Sequence, residues 1–353
     1  MIPYTLPFRE PYVTARGELR ERQLMLVRIR AEGLEGLGET TALSLRGGVG
    51  IEAIAAEIRD RCWPALLDGG VDPDRIWSAI ARCRNRGASA QALAAVDIAL
   101  HDLVGRAHGL PVWRLLGASE AEPVVCNATL PAANPAATRA MLDGWQAEGF
   151  RTFKLKVGLA GDVTQVATVR QALGPEAAIR VDANGAWSVP DAVERLGALA
   201  RHDIELAEQP VGTFEQMVEL RQQVEVRVAA DESLVSPFDA RRARELGACD
   251  FAAVKVVKVG GLGAALEVGE AIPSYLSSAL EGSVGIAAAA HAVQALRARG
   301  GDAAVAHGLA TERLFSASIG RGVRAEGARL ILDERPGLGV EIDEEALAAR
   351  RLA

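Results

Sequence analysis

Apolar and polar residues alternate along this chain with two different periods, and the rhythm changes near residue 120. A strand-like run, QLMLVRIRAE (23–32), comes first, and GLEGLGET then reads as a turn and a returning strand. After the glycine-marked stretch SLRGGVG (44–50) the spacing turns helical, through IEAIAAEIRDRCWPALL, DPDRIWSAIARC and SAQALAAVDIALHDLVGRAHG. In the last of these, Leu93, Val96, Leu100 and Leu103 recur every three or four residues and mark one helical face. Two strands followed by helices predict an α+β domain over residues 1–120.

From residue 121 short apolar runs alternate with helical segments. The strand candidates are 123–130, 151–158, 177–187, 203–210, 226–233, 249–261, 274–282 and 302–311, with amphipathic stretches between them. That cadence predicts a (β/α)8 TIM barrel over residues 121–320. A doubly wound sheet is the alternative, but no GxGxxG opens an early unit, and GVGIEA and VGGLGAA are only glycine-rich. The turn-rich segment 321–353 is expected to leave the barrel and pack back on the first domain.

Composition narrows the partners more than the fold. The net charge is -7 and aromatics make up 4% of the chain, which argues against a nucleic-acid surface. Cys62, Cys83, Cys126 and Cys249 show no CxxC spacing, so neither a disulfide scaffold nor a structural zinc site is expected. No long apolar window suggests a membrane span, the first residues do not read as a signal peptide, and the expected location is cytoplasmic. The Ala-rich helices are compatible with a homo-oligomer.

Charged residues gather where the barrel strands end, which is where a barrel carries its chemistry. VDAN, AEQP and AADES bring Asp182, Glu208 and Asp231 to the ends of three successive strands. Converging carboxylates repel unless a cation neutralises them, and an all-oxygen set favours Mg²⁺, with Mn²⁺ next. Lys154 and Lys156 lie two apart on the second strand, and so leave the same face; Lys255 and Lys258 are assigned to the sixth, across the mouth. Lys154 is expected to help make Lys156 available as a neutral base, with Lys255 opposite it. Metal, carboxylates and facing lysines suit one reaction class. A small-molecule carboxylate substrate loses its α-proton to a lysine, and the charge that develops is held by Mg²⁺ and the second lysine.

Further candidates are Asn184 beside Asp182, Asn127 from the first strand, Glu232 beside Asp231, Glu281 from the seventh strand and Arg46 as an anion-binding loop residue. Each has an everyday explanation as a turn former or a solvated side chain. GxSxG and HExxH are both absent, and the five histidines show no metal spacing.

Together these motifs resemble the enolase superfamily, in its muconate-lactonising subgroup. KLK at 154–156 looks like the subgroup's KxK, VDANGAW, EQP and ADES like its three metal-ligand motifs, and VKVVKVGG like its sixth-strand lysine motif. GLGE and PGLGV resemble its capping-domain signatures. The resemblance implies a modified, β7α7β-like barrel under an α+β cap. It also implies Mg²⁺ on Asp182, Glu208 and Asp231, Lys156 as base and Lys255 opposite.

Within the subgroup, VVCNATLPAANP and AHGLATERLF are most similar to o-succinylbenzoate synthases. That implies a dehydrating lyase of menaquinone biosynthesis. A dipeptide epimerase or N-acylamino acid racemase built on the same lysines is the alternative, and a noncatalytic metal-binding protein a lesser one. His307-Gly308-Leu309 lacks the aspartate pair of the dipeptide epimerases. Two departures stand out: segment 262–280 is short, so a shortened or distorted sixth helix is expected, and GETTALSLRGG lacks a proline-rich stretch seen in some synthases.

Overall fold

The structure is a computed structural model that describes residues 1–43, 47–131 and 133–352. It opens with an antiparallel sheet of β1 (Ile2–Thr14), β2 (Gly17–Ala31) and β3 (Leu34–Thr41), in that order. The sequence reading misses β1 because prolines at 3, 7 and 11 hide it. Pro3 and Pro7 are tolerated since β1 is an edge strand, and the register slips between Pro7 and Tyr12. Inside β1, Tyr4, Leu6 and Phe8 alternate inward and are buried.

Helices α1 (Ile51–Glu57) and α2 (Trp63–Gly69), joined by a π-turn, are followed by α3 (Ile76–Asn85) and α4 (Ala90–His108). They cover the other face of the sheet: Met25 and Val27 pack with Ile54, Ile80, Cys83 and Val96 in a core of their own. Ser89 caps α4 by accepting from the Ala92 N–H, and Gly109, in the left-handed region, ends it. A single turn, α5 (Val112–Leu115), leads toward the barrel.

The barrel wall is a curled, all-parallel sheet of seven strands: β5 (Ala128–Leu130), β6 (Thr152–Lys156), β7 (Ala178–Asp182), β8 (Ile204–Glu208), β9 (Val228–Ala230), β10 (Phe251–Val254) and β11 (Ser274–Leu276). The helices between them are α6 (Pro135–Ala147), α7 (Asp162–Leu173), α8 (Val189–Ala200), α9 (Phe214–Arg221) and α10 (Pro237–Leu246), then α11 (Val256–Val259), α12 (Leu262–Ala271) and α13 (Ser283–Ala298). Ser188, Thr213 and Ser236 cap α8, α9 and α10 with their hydroxyls, so these helices start where the sequence places polar residues after a strand.

Three expectations need correction. The run 123–130 is broken: β4 (Val124–Val125) pairs antiparallel with Arg329–Ile331, and only β5 joins the barrel wall. The eighth segment, 302–311, forms no regular strand. It makes isolated parallel bridges to Ser274, Ser277 and Cys126, and so links the two edges of the sheet. A left-handed Ala304 (φ 54°) interrupts it. The sixth helix is not distorted. α12 runs for ten residues, its first N–H held at 2.5 Å by the carboxylate of Asp97, reaching across from α4.

Beyond residue 321 the chain pairs with β4, bridges Pro111 through Gly337, forms α14 (Glu344–Arg350) and meets β1 where Arg351 bridges Tyr4. No helix among the described residues is long and apolar enough to cross a membrane.

Candidate functional site

Every second residue of a barrel strand points inward, and here the inward positions at the strand ends carry charge. Register sets Lys156, Asp182 and Glu208 level on neighbouring strands, with Lys156 opposite Asp182 and Asp182 opposite Glu208. Lys154 lies one layer deeper, opposite Arg180. Asp231 follows the end of β9. Lys255 follows β10 as the residue before α11. Lys258, assigned above to the sixth strand, stands on α11 instead. The backbone turns helical after Lys255, and Gly260 and Gly261, both at positive φ, stop the turn.

Asp182, Glu208 and Asp231 are fully buried, and each offers a carboxylate oxygen within 4.8 Å of the others. Lysines surround them. Lys154 Nζ donates to Glu208 Oε2 at 2.6 Å and lies 2.9 Å from Asp182 Oδ2. Lys156 Nζ donates to Asp182 Oδ2 at 2.6 Å and to Asn184 Oδ1 at 3.2 Å. Lys255 donates to Asp231 Oδ2, and Lys258 donates to the Asp231 carbonyl and, at 2.6 Å, to its Oδ1.

One atom stands apart: Glu208 Oε1 is buried and accepts no hydrogen bond among the described residues. A buried carboxylate oxygen without a partner is costly, and a hard cation is a partner it can take. The donor set is three carboxylates with no histidine or cysteine, which fits Mg²⁺ or Mn²⁺.

Electrostatics correct the reading of the lysine pair. Burial pulls the Lys154 ammonium down, but Asp182, Glu208 and Asp231 outweigh it and hold the group well above its ordinary range. Lys156 is raised too, burial being overcome chiefly by Asp182, while Lys154 pulls the other way. Lys154 therefore does not make Lys156 neutral against the bare carboxylates; Asp182, with Tyr12 and Glu208 adding to it, outweighs one positive neighbour. Burial pushes Asp182 up, yet Lys154 and Lys156 win and keep its carboxyl well below the usual range. Glu208 is raised, by burial first, and Asp182 and Asp231 add to the rise against the pull of Lys154. Of the three carboxylates, Glu208 is thus the one its lysine neighbours leave under-compensated, and its unpartnered Oε1 is where a cation would add most.

Above the cluster lies an open pocket of about 670 Å³, mouth included. Lys154, Lys156, Lys255, Asn184 and Thr129 form its floor, Ser277 to Leu280 and Thr311 one wall, and Tyr12, Thr14, Arg16 and Arg22 of the β1–β2 hairpin its cover. Arg16 ties the cover down, donating through Nε at 2.9 Å and Nη2 at 2.7 Å to the Asn184 carbonyl. Asn184 sits at φ 50° and also donates through Nδ2 to Glu232 Oε1 at 3.0 Å. So Asn184 joins the site, with Glu232 behind it.

Two other expectations fail. Asn127 does not line the pocket; its Nδ2 donates to the Ala128 carbonyl and Thr129 Oγ1. Glu281 does not approach the pocket either. Its Oε2 accepts from Ser278 Oγ and the Ala279 N–H, bracing the wall from behind. Arg46 lies outside the described residues. Sequence reading missed the hairpin residues, because one arm of the hairpin was hidden by prolines, and misplaced Lys258 on a strand that ends before it.

The comparisons with known proteins agree with this geometry. Residues 136–346 match the model of the enolase C-terminal domain-like family, and residues 2–117 that of the mandelate racemase / muconate lactonizing enzyme N-terminal domain. Muconate cycloisomerase 1 of Pseudomonas putida is 32% identical over 99% of this chain and 97% of its own. The o-succinylbenzoate synthase of Thermobifida fusca is 40% identical, over 56% of this chain and 62% of its own. The solved dipeptide epimerase of Enterococcus faecalis, complexed with Mg and the dipeptide L-Leu-L-Tyr, superposes with a TM-score of 0.89 at 29% identity, over 96% of this chain and 97% of that one. The chain belongs to the enolase superfamily, within its muconate-lactonising subgroup.

Proposed function

We propose that this enzyme dehydrates a dicarboxylate substrate as an o-succinylbenzoate synthase. Lys156 takes the proton α to a carboxylate, and Lys255 steadies the charge from the opposite side of the pocket. Asp182, Glu208 and Asp231 would hold a magnesium ion, which would supply the positive charge that makes the α-proton acidic. Lys156 Nζ holds the abstracted proton, and Asn184 Oδ1 keeps it aimed. Departure of a β-hydroxide completes the elimination. Residues 1–120 serve as the cap, residues 121–320 as the barrel, and residues 321–353 as a return to the cap.

One observation carries the choice of a dianionic substrate over a dipeptide. The pocket lining holds three lysines and two arginines and, among the described residues, no aspartate or glutamate. A substrate with a second carboxylate is welcome there, whereas the free ammonium of a dipeptide finds no counter-charge. The 40% identity to a synthase supports the same reading. An N-succinyl amino acid is also dianionic, so a racemase of such substrates is the second reading favoured by the same lining.

The test is a panel of the succinyl-hydroxycyclohexadiene carboxylate, N-succinyl amino acids, cis,cis-muconate and dipeptides, each with and without Mg²⁺. The expected result is Mg²⁺-dependent dehydration with kcat/KM well above every other substrate, reduced at least ~10³-fold in Lys156→Ala. Fast α-proton exchange of N-succinyl amino acids in D₂O without dehydration selects the racemase. Turnover of dipeptides alone overturns the reading of the pocket.

A further inference from the structure

Below the carboxylates the barrel interior is filled in an unusual way. Barrel centres are ordinarily packed with Val, Ile and Leu. Here the layer under the site holds Leu206, Ala229, Ala253 and Tyr275, with Arg180 beside them, and all five are buried. Ala253 and Tyr275 are direct register partners on β10 and β11. Two alanines in place of branched residues leave room for the phenol ring to lie across the barrel. Arg180 braces that ring. Its guanidinium carbon sits 5.2 Å from the ring centroid, with Nε donating to Glu205 Oε2 at 2.5 Å and Nη1 to the Ala306 carbonyl at 2.6 Å.

The ring ends at the metal site. Tyr275 Oη donates to Glu208 Oε2 at 2.7 Å, the same oxygen that accepts from Lys154 at 2.6 Å. Two donors on one oxygen lock the carboxylate plane, and the other oxygen, Oε1, is left without a hydrogen bond. We propose that Tyr275, held by Arg180, is a positioning residue that turns Glu208 Oε1 toward the divalent cation and so sets cation affinity. A hydroxyl there for local satisfaction alone would affect stability and leave cation binding untouched. The inference rests on the reading of Asp182, Glu208 and Asp231 as the cation site.

The test uses the full chain and Mn²⁺ as probe, with free Mn²⁺ counted by electron paramagnetic resonance. Tyr275→Phe keeps the ring over Arg180 and removes only the donor. It is expected to weaken Mn²⁺ binding ~10- to 100-fold, the range found when a group supporting a metal ligand is removed. A folded Tyr275→Phe that binds Mn²⁺ as tightly as the wild type overturns the proposal while leaving the cation site standing. A wild type that binds no Mn²⁺ overturns both.

A second measurement does not depend on that variant folding. The chain has three tyrosines, so 3-fluorotyrosine labelling yields three ¹⁹F resonances, assignable through Tyr4→Phe and Tyr12→Phe. The Tyr275 resonance is expected to move on Mg²⁺ titration, following the Mn²⁺ isotherm in competition. A resonance unmoved at saturating Mg²⁺ overturns the proposal.

Discussion

Lys154 shows how a charged residue can be misread from spacing alone. Two lysines on one face of a strand suggest mutual repulsion and a depressed pKa, but register puts Lys154 a layer deeper, between Asp182 and Glu208. There it acts as a permanent counter-ion to carboxylates that would otherwise face one another in a dry interior. Removing one partner of a buried ion pair costs about 3–5 kcal/mol because the other charge stays buried. Lys154→Met should therefore destabilise the Mg²⁺-free protein by about 3 kcal/mol in urea unfolding. Saturating MgCl₂ should restore more stability to the variant than to the wild type, since the cation takes over part of the lysine's work. If Lys154 served only to tune Lys156, the variant would keep its stability and shift only the pH–rate profile.

Among the elements, β3 and α4 approach closely in the cap, and the GLGE motif explains it. Gly36 and Gly38 point at α4, and a Cβ on either would collide with the backbone carbonyl of Ala99 or Ala95. These glycines are therefore demanded by close approach, not by an unusual φ. Gly38→Ala is expected to lower stability by ~2–3 kcal/mol, with α4 pushed off the sheet, while a Gly197→Ala control, inside α8 and meeting nothing within 4 Å, does not lower it. Thermal unfolding of the two variants separates these outcomes. The same scale explains what the sequence reveals. Seven barrel strands, the three carboxylates at their ends and the paired lysines are legible because apolar runs and charged ends repeat at each unit. β1 is hidden by its prolines, and the 302–311 segment reads as a strand although Ala304 breaks it. The facing of Asn127 and Glu281 depends on local hydrogen bonds that no periodicity encodes. Arg16, Tyr275 and Lys258 gain their meaning only from distant partners in the fold.

At the scale of the whole molecule, cap and barrel meet over a buried acid. Glu39 on β3 accepts from Tyr4 Oη on β1 and, at 2.6 Å, from the Gly285 N–H in the first turn of α13. Glu281 and Glu312 lie near enough to add negative charge. Burial raises the Glu39 carboxyl from 4.5 to about 8, against the pull of the hydrogen bonds from Tyr4 and Gly285 and with the help of Glu281 and Glu312. In the folded protein it is therefore a neutral acid at pH 7, whereas in the unfolded chain it is ionised. Between those two values the native state binds the extra proton, so stability falls as pH rises. The contribution is complete below about 4.5 and gone above about 8. Asp182, with its lowered pKa, has the opposite sign, but its loss falls at strongly acidic pH and leaves the neutral window to raised groups such as Glu39. The expected outcome is a urea midpoint for the wild type that drops between about pH 6 and about pH 8.5, equivalent to a few kcal/mol. Glu39→Gln cannot ionise. Its midpoint should start lower at about pH 6, because the amide donates where a carbonyl-like oxygen is wanted, and then fall less steeply than the wild type across the same interval, the remaining slope coming from Glu312, whose carboxyl burial pushes up to about 7. Parallel slopes in the two proteins would show that the junction of cap and barrel does not bind its proton through Glu39.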